Sequence, residues 1–285
     1  MSECAVYQQL TNERPLEFRK KLSSSRFYVS GECYSREMKN LTRKEAQACK
    51  LTFLLLFFPV LLFCTGAYAA KQKVVKQDGI KYWAAQSVSD EAFKRAQFVV
   101  QQMTSHSPEI REKMVATGFT VEIIGKDQVL SDLPDYAYLK GKKTRDGRDF
   151  DTGTRGVGGR EMCSIGEENL LCLSNQSYRK EDIFVHEFSH SMMDHMDADD
   201  VRQIEAAYKN AVDKELYPKG IYMMANSGEY WAEGVQAWLG VTLRTDVNGG
   251  FNTQQKIKDH DKALAAVLEK VYGSVQLQHS PGCAY

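Results

Sequence analysis

The chain has 285 residues, and its 37 Lys and Arg residues balance its 37 Asp and Glu residues. This balance argues against a general binder of nucleic acid or acidic lipid. Hydrophobic residues make up 43% of the chain, with only 6 Pro and 20 Gly, which excludes collagen, low-complexity polymers and wholesale disorder. The length fits one or two folded domains.

Residues 51–70 carry no charged side chain and contain the most apolar stretch of the chain. Its apolar centre is about a dozen residues, shorter than the roughly 20 that a spanning helix prefers. Small residues follow, and Ala67-Tyr68-Ala69 resembles a signal-peptidase cleavage site. We therefore expect residues 51–70 to be a signal peptide, with an uncleaved signal anchor as the alternative.

The apolar segment also predicts how the rest of the chain is organised. Residues 1–50 are an N-terminal extension, either untranslated because synthesis starts at Met38 or a cytoplasmic tail. Residues 71–285 are the folded domain and face an oxidising lumen or the outside. The protein is thus predicted to be secreted, or alternatively to be a single-pass, signal-anchored membrane protein that contacts the membrane only through residues 51–70.

Three cysteines follow the apolar segment. Cys163 and Cys172 enclose a short loop, so we predict a disulfide between them, with Cys283 free or paired elsewhere. The alternative is that both loop cysteines are reduced and buried. Asn175-Gln176-Ser177 is an N-glycosylation sequon, and the predicted secretion makes Asn175 a candidate glycosylation site.

The first elements of the domain follow from hydrophobic periodicity. An amphipathic run that opens at Ser89 and extends to Met103 predicts a helix, and Pro108 to Thr117 predicts a second one that ends at Gly118. Phe119 to Ile124 alternates with period two, which is typical of a strand.

The later part of the domain is predicted to be mostly helical. Lys140 to Arg160 is rich in Gly and charge, which indicates a long mobile loop, either a solvated linker or a flap over a cleft. Leu170 to Leu173 is a candidate edge strand. The fold class is therefore α+β, with a small mixed sheet. Four helical runs follow: Lys180 to Met196, Asp199 to Leu216, Gly228 to Leu243 and Thr253 to Tyr272.

One of these helical runs contains an H-E-x-x-H sequence, His186-Glu187-Phe188-Ser189-His190. Residues at i and i+4 lie on one helix face, so both imidazoles can reach one metal ion. Glu187 projects beside a water bound to that metal. The motif predicts a zinc site with one Zn²⁺ per chain.

Zinc needs a third protein ligand, and Glu229 and Glu233 are the best candidates because they share a face of a later helix. A competing interpretation is that Asn226 and Glu229 form a capping box at the start of that helix. With Glu229 as the ligand, Glu233 is expected to hydrogen-bond a ligating histidine and fix its tautomer. Glu233 is also the alternative ligand.

The H-E-F-S-H motif, followed by Tyr222 seven residues before the sequence Glu229-Tyr230-Trp231-Ala232-Glu233, resembles a known family. It is similar to the catalytic domain of the anthrax lethal factor and Pro-Pro endopeptidase group of gluzincin metallopeptidases. The resemblance implies a zincin-like fold, with zinc held by His186, His190 and Glu229. It also implies that Glu187 is the general base and that Tyr222 donates to the oxyanion.

The expected function is that of a secreted or lumen-facing zinc-dependent endopeptidase, whose partners are peptide or protein substrates. The alternative is a catalytically silent, secreted binding protein of zincin fold with a structural zinc. Glu187 argues against the alternative, since a closed structural site has no use for a carboxylate beside a water. The basic cluster at Lys140 to Arg148 is interpreted as a solvated loop, so no nucleic-acid partner is predicted. The sequence does not predict an oligomeric state.

Overall fold

A computed structural model describes residues 72–144, 147–277 and 283. The predicted extension at 1–50 and the predicted signal segment at 51–70 lie outside the described residues. Within the described residues, no helix combines the length and apolar character needed to cross a membrane. The fold is α+β, as the sequence predicts, with helices packed around one small mixed sheet.

Five short strands form this sheet in the order β1-β2-β3-β5-β4. Strands β2, β3 and β5 are parallel, whereas β4 runs antiparallel to β5 and forms one edge. The strands β1 to β5 span Gln72–Gln77, Ile80–Ala85, Thr120–Ile124, Gly156–Val157 and Met162–Gly166.

The central strand β3 divides the interior into two apolar layers because alternate side chains point to opposite faces. Val121 and Ile123 belong to the main core, which the sheet shares with the helices. Ile124 belongs to a smaller cluster on the other face, with Trp83 and Val157. Glu122, which lies between Val121 and Ile123 in the chain, is fully buried.

The helices supply the other layer of the main core and carry most of the buried aromatic side chains. The α-helices of the described residues are α1 Asp90–Met103, α2 Pro108–Thr117, α3 Phe150–Gly153, α4 Glu167–Leu170, α5 Ile183–Met193, α6 Ala198–Asp213, α7 Ser227–Leu239, α8 Gln254–His260 and α9 Lys262–Tyr272. Trp231 on α7, for example, stacks on Tyr272 of α9 with ring centroids 5.9 Å apart.

The capping signals read from the sequence coincide with the ends of the first two helices. The Ser89 hydroxyl accepts a hydrogen bond from the N–H of Ala92 and so caps α1. Gly118 ends α2 with φ 75°, a left-handed conformation that favours glycine. The strand predicted from Phe119 to Ile124 is β3.

The predicted helix from Thr253 to Tyr272 is two helices, because the chain bends at Asp261. The Asp261 carboxylate caps α9 at the N–H of Leu264 and accepts hydrogen bonds from the buried hydroxyls of Tyr217 and Tyr230. Hydrophobic periodicity continues across the bend, so the pattern alone does not reveal it.

Two predictions for the segment before α5 are wrong. Lys140 to Arg160 is more than a mobile loop, since it contains the short helix α3 and the edge strand β4. Leu170 to Leu173 is not an edge strand, because Leu170 ends the helix α4 and a turn follows. Strand β4 forms this edge of the sheet instead.

The predicted disulfide between Cys163 and Cys172 is also wrong. Cys172 is bonded to Cys283, and their Cα atoms lie 5.3 Å apart. Cys163 is a free thiol on β5, opposite Val121 in the register of the sheet, and its side chain is buried in the main core. Cys172 and Cys283 pack against the edge of the same core, where they bond to each other. Asn175 of the predicted glycosylation site is exposed.

Candidate metal centre

Helix α5 carries the H-E-x-x-H residues and is buried along its whole length. Its start is fixed by Asp182, whose Oδ1 accepts hydrogen bonds from the N–H groups of Phe184 and Val185. The other oxygen of Asp182 forms a 3.2 Å ion pair with Arg95 of α1. Capping and burial together fix the position of the motif relative to the sheet.

His186 and His190 lie on one face of α5, with ring centroids 5.1 Å apart. Helix α7 packs across this face and brings Glu229 to both rings. One oxygen of Glu229, Oε2, is 3.1 Å from Nε2 of His186 and 3.5 Å from Nε2 of His190. All three side chains are almost fully buried, at 2%, 1% and 1% exposure.

This group has the geometry of a metal-binding site. One ligand atom from each of His186, His190 and Glu229 lies within 4.8 Å of the others. Two imidazole nitrogens and one carboxylate oxygen are ligands that zinc and similar transition metals take in proteins. The second oxygen of Glu229, Oε1, is buried and has no hydrogen-bond partner among the described residues. The residues therefore fit a metal ion.

The competing role of Glu229 as a capping residue separates into two parts. The Asn226 side chain does cap α7, accepting a 3.0 Å hydrogen bond from the backbone N–H of Glu229. The Glu229 carboxylate, by contrast, faces the two imidazoles. Asn226 therefore caps the helix through the backbone of Glu229, and the Glu229 carboxylate remains available to the metal centre.

The electrostatics of the group favour a positive charge between the imidazoles and the carboxylate. Burial lowers the pKa of His186, but the hydrogen bond and charge of Glu229 outweigh burial and raise that pKa to about 10. Burial raises the pKa of Glu229, but hydrogen bonds from both imidazoles outweigh it and lower the pKa overall. A proton or a divalent cation can supply this positive charge.

Two side chains of α7 lie beside the other nitrogen of His186. Oε1 of Gln236 is 3.3 Å from Nδ1 of His186, and Oε1 of Glu233 is 3.7 Å from it. With a metal ion bound at Nε2, an acceptor at this position would keep the proton of the neutral ring on Nδ1. Glu233 was the residue predicted for this role, and Gln236 is nearer.

Gln236 is a residue that the sequence interpretation missed, although a signal for it exists. Position 236 lies two helical turns after Glu229, on the face that also carries Glu233. The Gln236 amide nitrogen donates a 2.9 Å hydrogen bond to the carbonyl of Asp182. Gln236 therefore ties the cap of α5 to the ring of His186.

Glu187, the middle carboxylate of the motif, is held by the edge strand. The backbone N–H of Gly158, immediately after β4, donates a 2.8 Å hydrogen bond to Oε2 of Glu187. A Cβ atom at Gly158 would collide with the carbonyl oxygen of Glu187, and one at Gly156 would lie 2.9 Å from its Cγ. Glycine is needed here for the close approach of strand and helix.

Tyr222 lies against the same pair of helices, in a 3₁₀ turn from Tyr222 to Met224 just before α7. Its ring stacks on the ring of His186, with centroids 6.2 Å apart and an interplanar angle of 28°. Tyr222 and His186 both line a cavity of about 690 Å³. The predicted tyrosine is therefore next to the metal centre and faces open space.

His195, two residues after the end of α5, is not part of this group. Its Nδ1 is 2.8 Å from the carbonyl of Ser191, and its Nε2 is 2.9 Å from the hydroxyl of Thr117. Burial lowers the pKa of His195, so the ring is a neutral structural group between α5 and α2.

Comparison with known proteins gives distant structural likenesses and no match to a family model or a curated protein. The structure of the Pro-Pro endopeptidase PPEP-2 from Paenibacillus alvei is similar, with a TM-score of 0.42 and 15% sequence identity. The match covers 67% of this chain and 96% of that chain. A likeness of this size assigns neither family nor activity, so function is inferred from the side chains of the metal centre.

Proposed function

We propose that this chain is a zinc-dependent endopeptidase. The observation that carries the proposal is that His186, His190 and Glu229 converge, and that His186 lines a cavity of about 690 Å³. Glu187, on the same helix, is held by the backbone N–H of Gly158. Two histidines and one carboxylate from the protein leave a coordination position open, which is the arrangement of catalytic zinc sites. One Zn²⁺ per chain is expected.

When bound, zinc would supply a Lewis acid that lowers the pKa of a water molecule to about 7 and polarises a peptide carbonyl. The chain itself must then move a proton. Glu187 is suited to accept the proton of the attacking water and to return it to the leaving amine. The hydrogen bond from Gly158 engages Oε2 of Glu187, so the carboxylate keeps one orientation while its other oxygen exchanges the proton.

Tyr222 is proposed to stabilise the oxyanion that develops as the carbonyl is attacked. Its ring is stacked beside His186 at the cavity wall, where a phenol hydroxyl can donate to a substrate oxygen. The turn that carries it is supported by a hydrogen bond from the Tyr208 hydroxyl to the carbonyl of Met224, at 2.9 Å.

The alternative, a non-catalytic binding protein with a structural zinc, fits the site less well. A structural zinc site is usually closed by four protein ligands, and the group found among the described residues has three. A structural zinc also gives no reason to hold Glu187 with a backbone N–H donor. The cavity beside His186 gives a substrate access, which a closed site does not need.

Secretion or a lumenal location is proposed together with this activity. The disulfide between Cys172 and Cys283 supports an oxidising compartment, because such bonds rarely persist in the cytosol. The apolar segment at 51–70 supports the same placement through its sequence alone.

The activity is tested by incubating the zinc-loaded protein with a peptide library and identifying cleaved bonds by mass spectrometry. We expect cleavage that a chelator abolishes and that Glu187→Gln reduces by about 10³-fold or more. Glu112→Gln is the matched control, since Glu112 is exposed on α2. A zinc-loaded, folded protein that cleaves no peptide contradicts the proposal, as does full activity in the Glu187→Gln variant.

A further inference from the structure

The cavity beside the metal centre is lined by several cationic side chains. Its wall includes His186 and Tyr222 at the metal centre and four basic residues further along, Arg148, Arg179, Lys180 and Arg244. The charge of this wall bears on what kind of substrate the cavity accepts, because clefts lined by one sign of charge concentrate the opposite sign.

The same wall also carries three carboxylates, Glu181, Glu233 and Asp246, and Arg244 engages two of them. Arg244 pairs with Glu181 at 2.7 Å and with Asp246 at 2.7 Å. These two carboxylates therefore compensate the positive charge of Arg244. Arg148 donates a 3.1 Å hydrogen bond to the carbonyl of Gly153.

Arg179 and Lys180 contribute two further positive charges to the cavity wall. Both are exposed, and neither has a carboxylate partner among the described residues. Arg179 donates to the carbonyl of Ser174, a neutral acceptor, and so keeps its full positive charge.

The backbone of this pair is held at a fixed place relative to the metal centre. The carbonyl of Lys180 accepts a 2.8 Å hydrogen bond from the N–H of Leu243, and the next residue, Glu181, forms a β-bridge to Thr242. Asp182 then caps the helix that carries His186. The cations are therefore presented by an anchored segment, only a few residues before the first ligand.

A second cavity, of about 290 Å³, lies on the side of His190 and has the opposite character. It is lined by Gly228, which packs against the His190 ring, and by the acidic residues Asp194 and Glu205, without a lysine or arginine. Burial raises the pKa of Asp194 to about 7, so the negative charge of this cavity comes chiefly from Glu205. An acidic side chain of a substrate is disfavoured beside Glu205 and favoured beside Arg179 and Lys180. The metal centre is flanked by two cavities of different charge.

We propose that the cavity lined by Arg179 and Lys180 is a specificity subsite for an acidic side chain, Asp or Glu, of the peptide substrate. This inference rests on the proposed peptidase function and deepens it by naming the substrate class. Charge-assisted hydrogen bonds from guanidinium and ammonium groups to a carboxylate are the interaction that would select it.

The test compares two peptides that differ only by a Glu-to-Gln exchange near the cleaved bond. For the full chain loaded with zinc, we expect kcat/KM at least about tenfold higher for the acidic peptide, with an advantage that shrinks as salt rises. The double variant Arg179→Glu with Lys180→Glu should lose or reverse this preference. The control is Lys76→Glu with Lys214→Glu, two exposed positions outside the cavity wall, which should retain it.

Binding separates a failure of this inference from a failure of the proposed function. The affinity of fluorescent versions of the same peptides is measured on the Glu187→Gln chain, where turnover is suppressed. Tighter binding of the acidic peptide that depends on Arg179 and Lys180 supports the subsite even if no bond is cut. Equal affinity for both peptides, or a preference unchanged in the double variant, overturns the subsite whether or not the wild type cleaves peptides.

Discussion

The backbone N–H of Gly158 donates a 2.8 Å hydrogen bond to Oε2 of Glu187, joining the edge strand of the sheet to the helix that carries His186 and His190. This contact explains why a glycine-rich segment passes directly over α5. It places Gly158 as a positioning residue for the general base of the proposed reaction.

Gly158→Ala should therefore impair turnover more than metal binding. Its Cβ collides with the Glu187 carbonyl, so the strand must move and the hydrogen bond to the carboxylate is weakened. We expect kcat to fall by about 10²-fold while zinc content is retained. Gly159→Ala is the matched control, since its Cβ would lie 3.5 Å from the nearest atom, the carbonyl of Met162. Equal kcat in the two variants would argue against a positioning role.

Gln236→Ala should weaken metal binding. The variant removes the acceptor near Nδ1 of His186 and the donor to the carbonyl of Asp182, so the ring loses its fixed tautomer and orientation. Loss of such a partner typically costs 10–100-fold in metal affinity. Competition with a chromophoric chelator measures the zinc affinity directly. An affinity within about twofold of wild type would show that Glu233 alone is sufficient to orient His186.

Glu122→Gln should change how stability depends on pH. Burial, followed by the nearby charge of Asp135, raises the pKa of Glu122 from 4.5 to about 9. The folded state therefore holds a proton that the unfolded state releases, and stability contributed by the neutral form is lost as pH rises from about 4.5 towards 9.

The glutamine variant lacks this titration and should be more stable than wild type at pH 8 by about 1–3 kcal/mol, with little difference at pH 4.5. Urea denaturation at the two pH values gives both free energies of unfolding, and Glu112→Gln controls for the loss of a surface carboxylate. A stability difference that is the same at both pH values would contradict the assignment of a neutral Glu122.

Cys283→Ser should lower stability, because the disulfide to Cys172 closes a long loop with a sequence separation of 111 residues. Removing a disulfide of this kind typically costs about 2–5 kcal/mol. Thermal unfolding of the variant, compared with Cys172→Ser, which breaks the same bond from its other end, measures the loss. Peptide mapping without reductant should recover a Cys172–Cys283 cross-link, and a Cys163–Cys172 cross-link would contradict the structure.

The sequence predicts the parts of the site that depend on local geometry. His186 and His190 share a face because any helix brings residues four apart together, and the end of α2 follows from the left-handed preference of Gly118. Glu229 could be proposed as a ligand from the sequence because few acidic residues follow the motif at helical spacing. The packing of α7 on α5 was needed to show that its carboxylate faces the two imidazoles while Asn226 caps the helix.

Features set by long-range packing were missed or wrong. The pairing of Cys172 with Cys283 depends on where the end of the chain returns, which no local pattern encodes. The glycines at 156 and 158 indicate flexibility when considered alone, yet in the fold they permit an edge strand to approach Glu187. Gln236 has an ordinary sequence context, and its role appears only when His186 lies across from it.

The most direct test of the metal centre is the zinc content of the purified full chain, measured by elemental analysis after dialysis against metal-free buffer. We predict one zinc per chain in the wild type and its loss in Glu229→Ala, with circular dichroism showing that the variant stays folded. A folded wild-type protein that binds no zinc, or a Glu229→Ala variant that keeps it with unchanged affinity, would contradict the assignment of His186, His190 and Glu229 as its ligands.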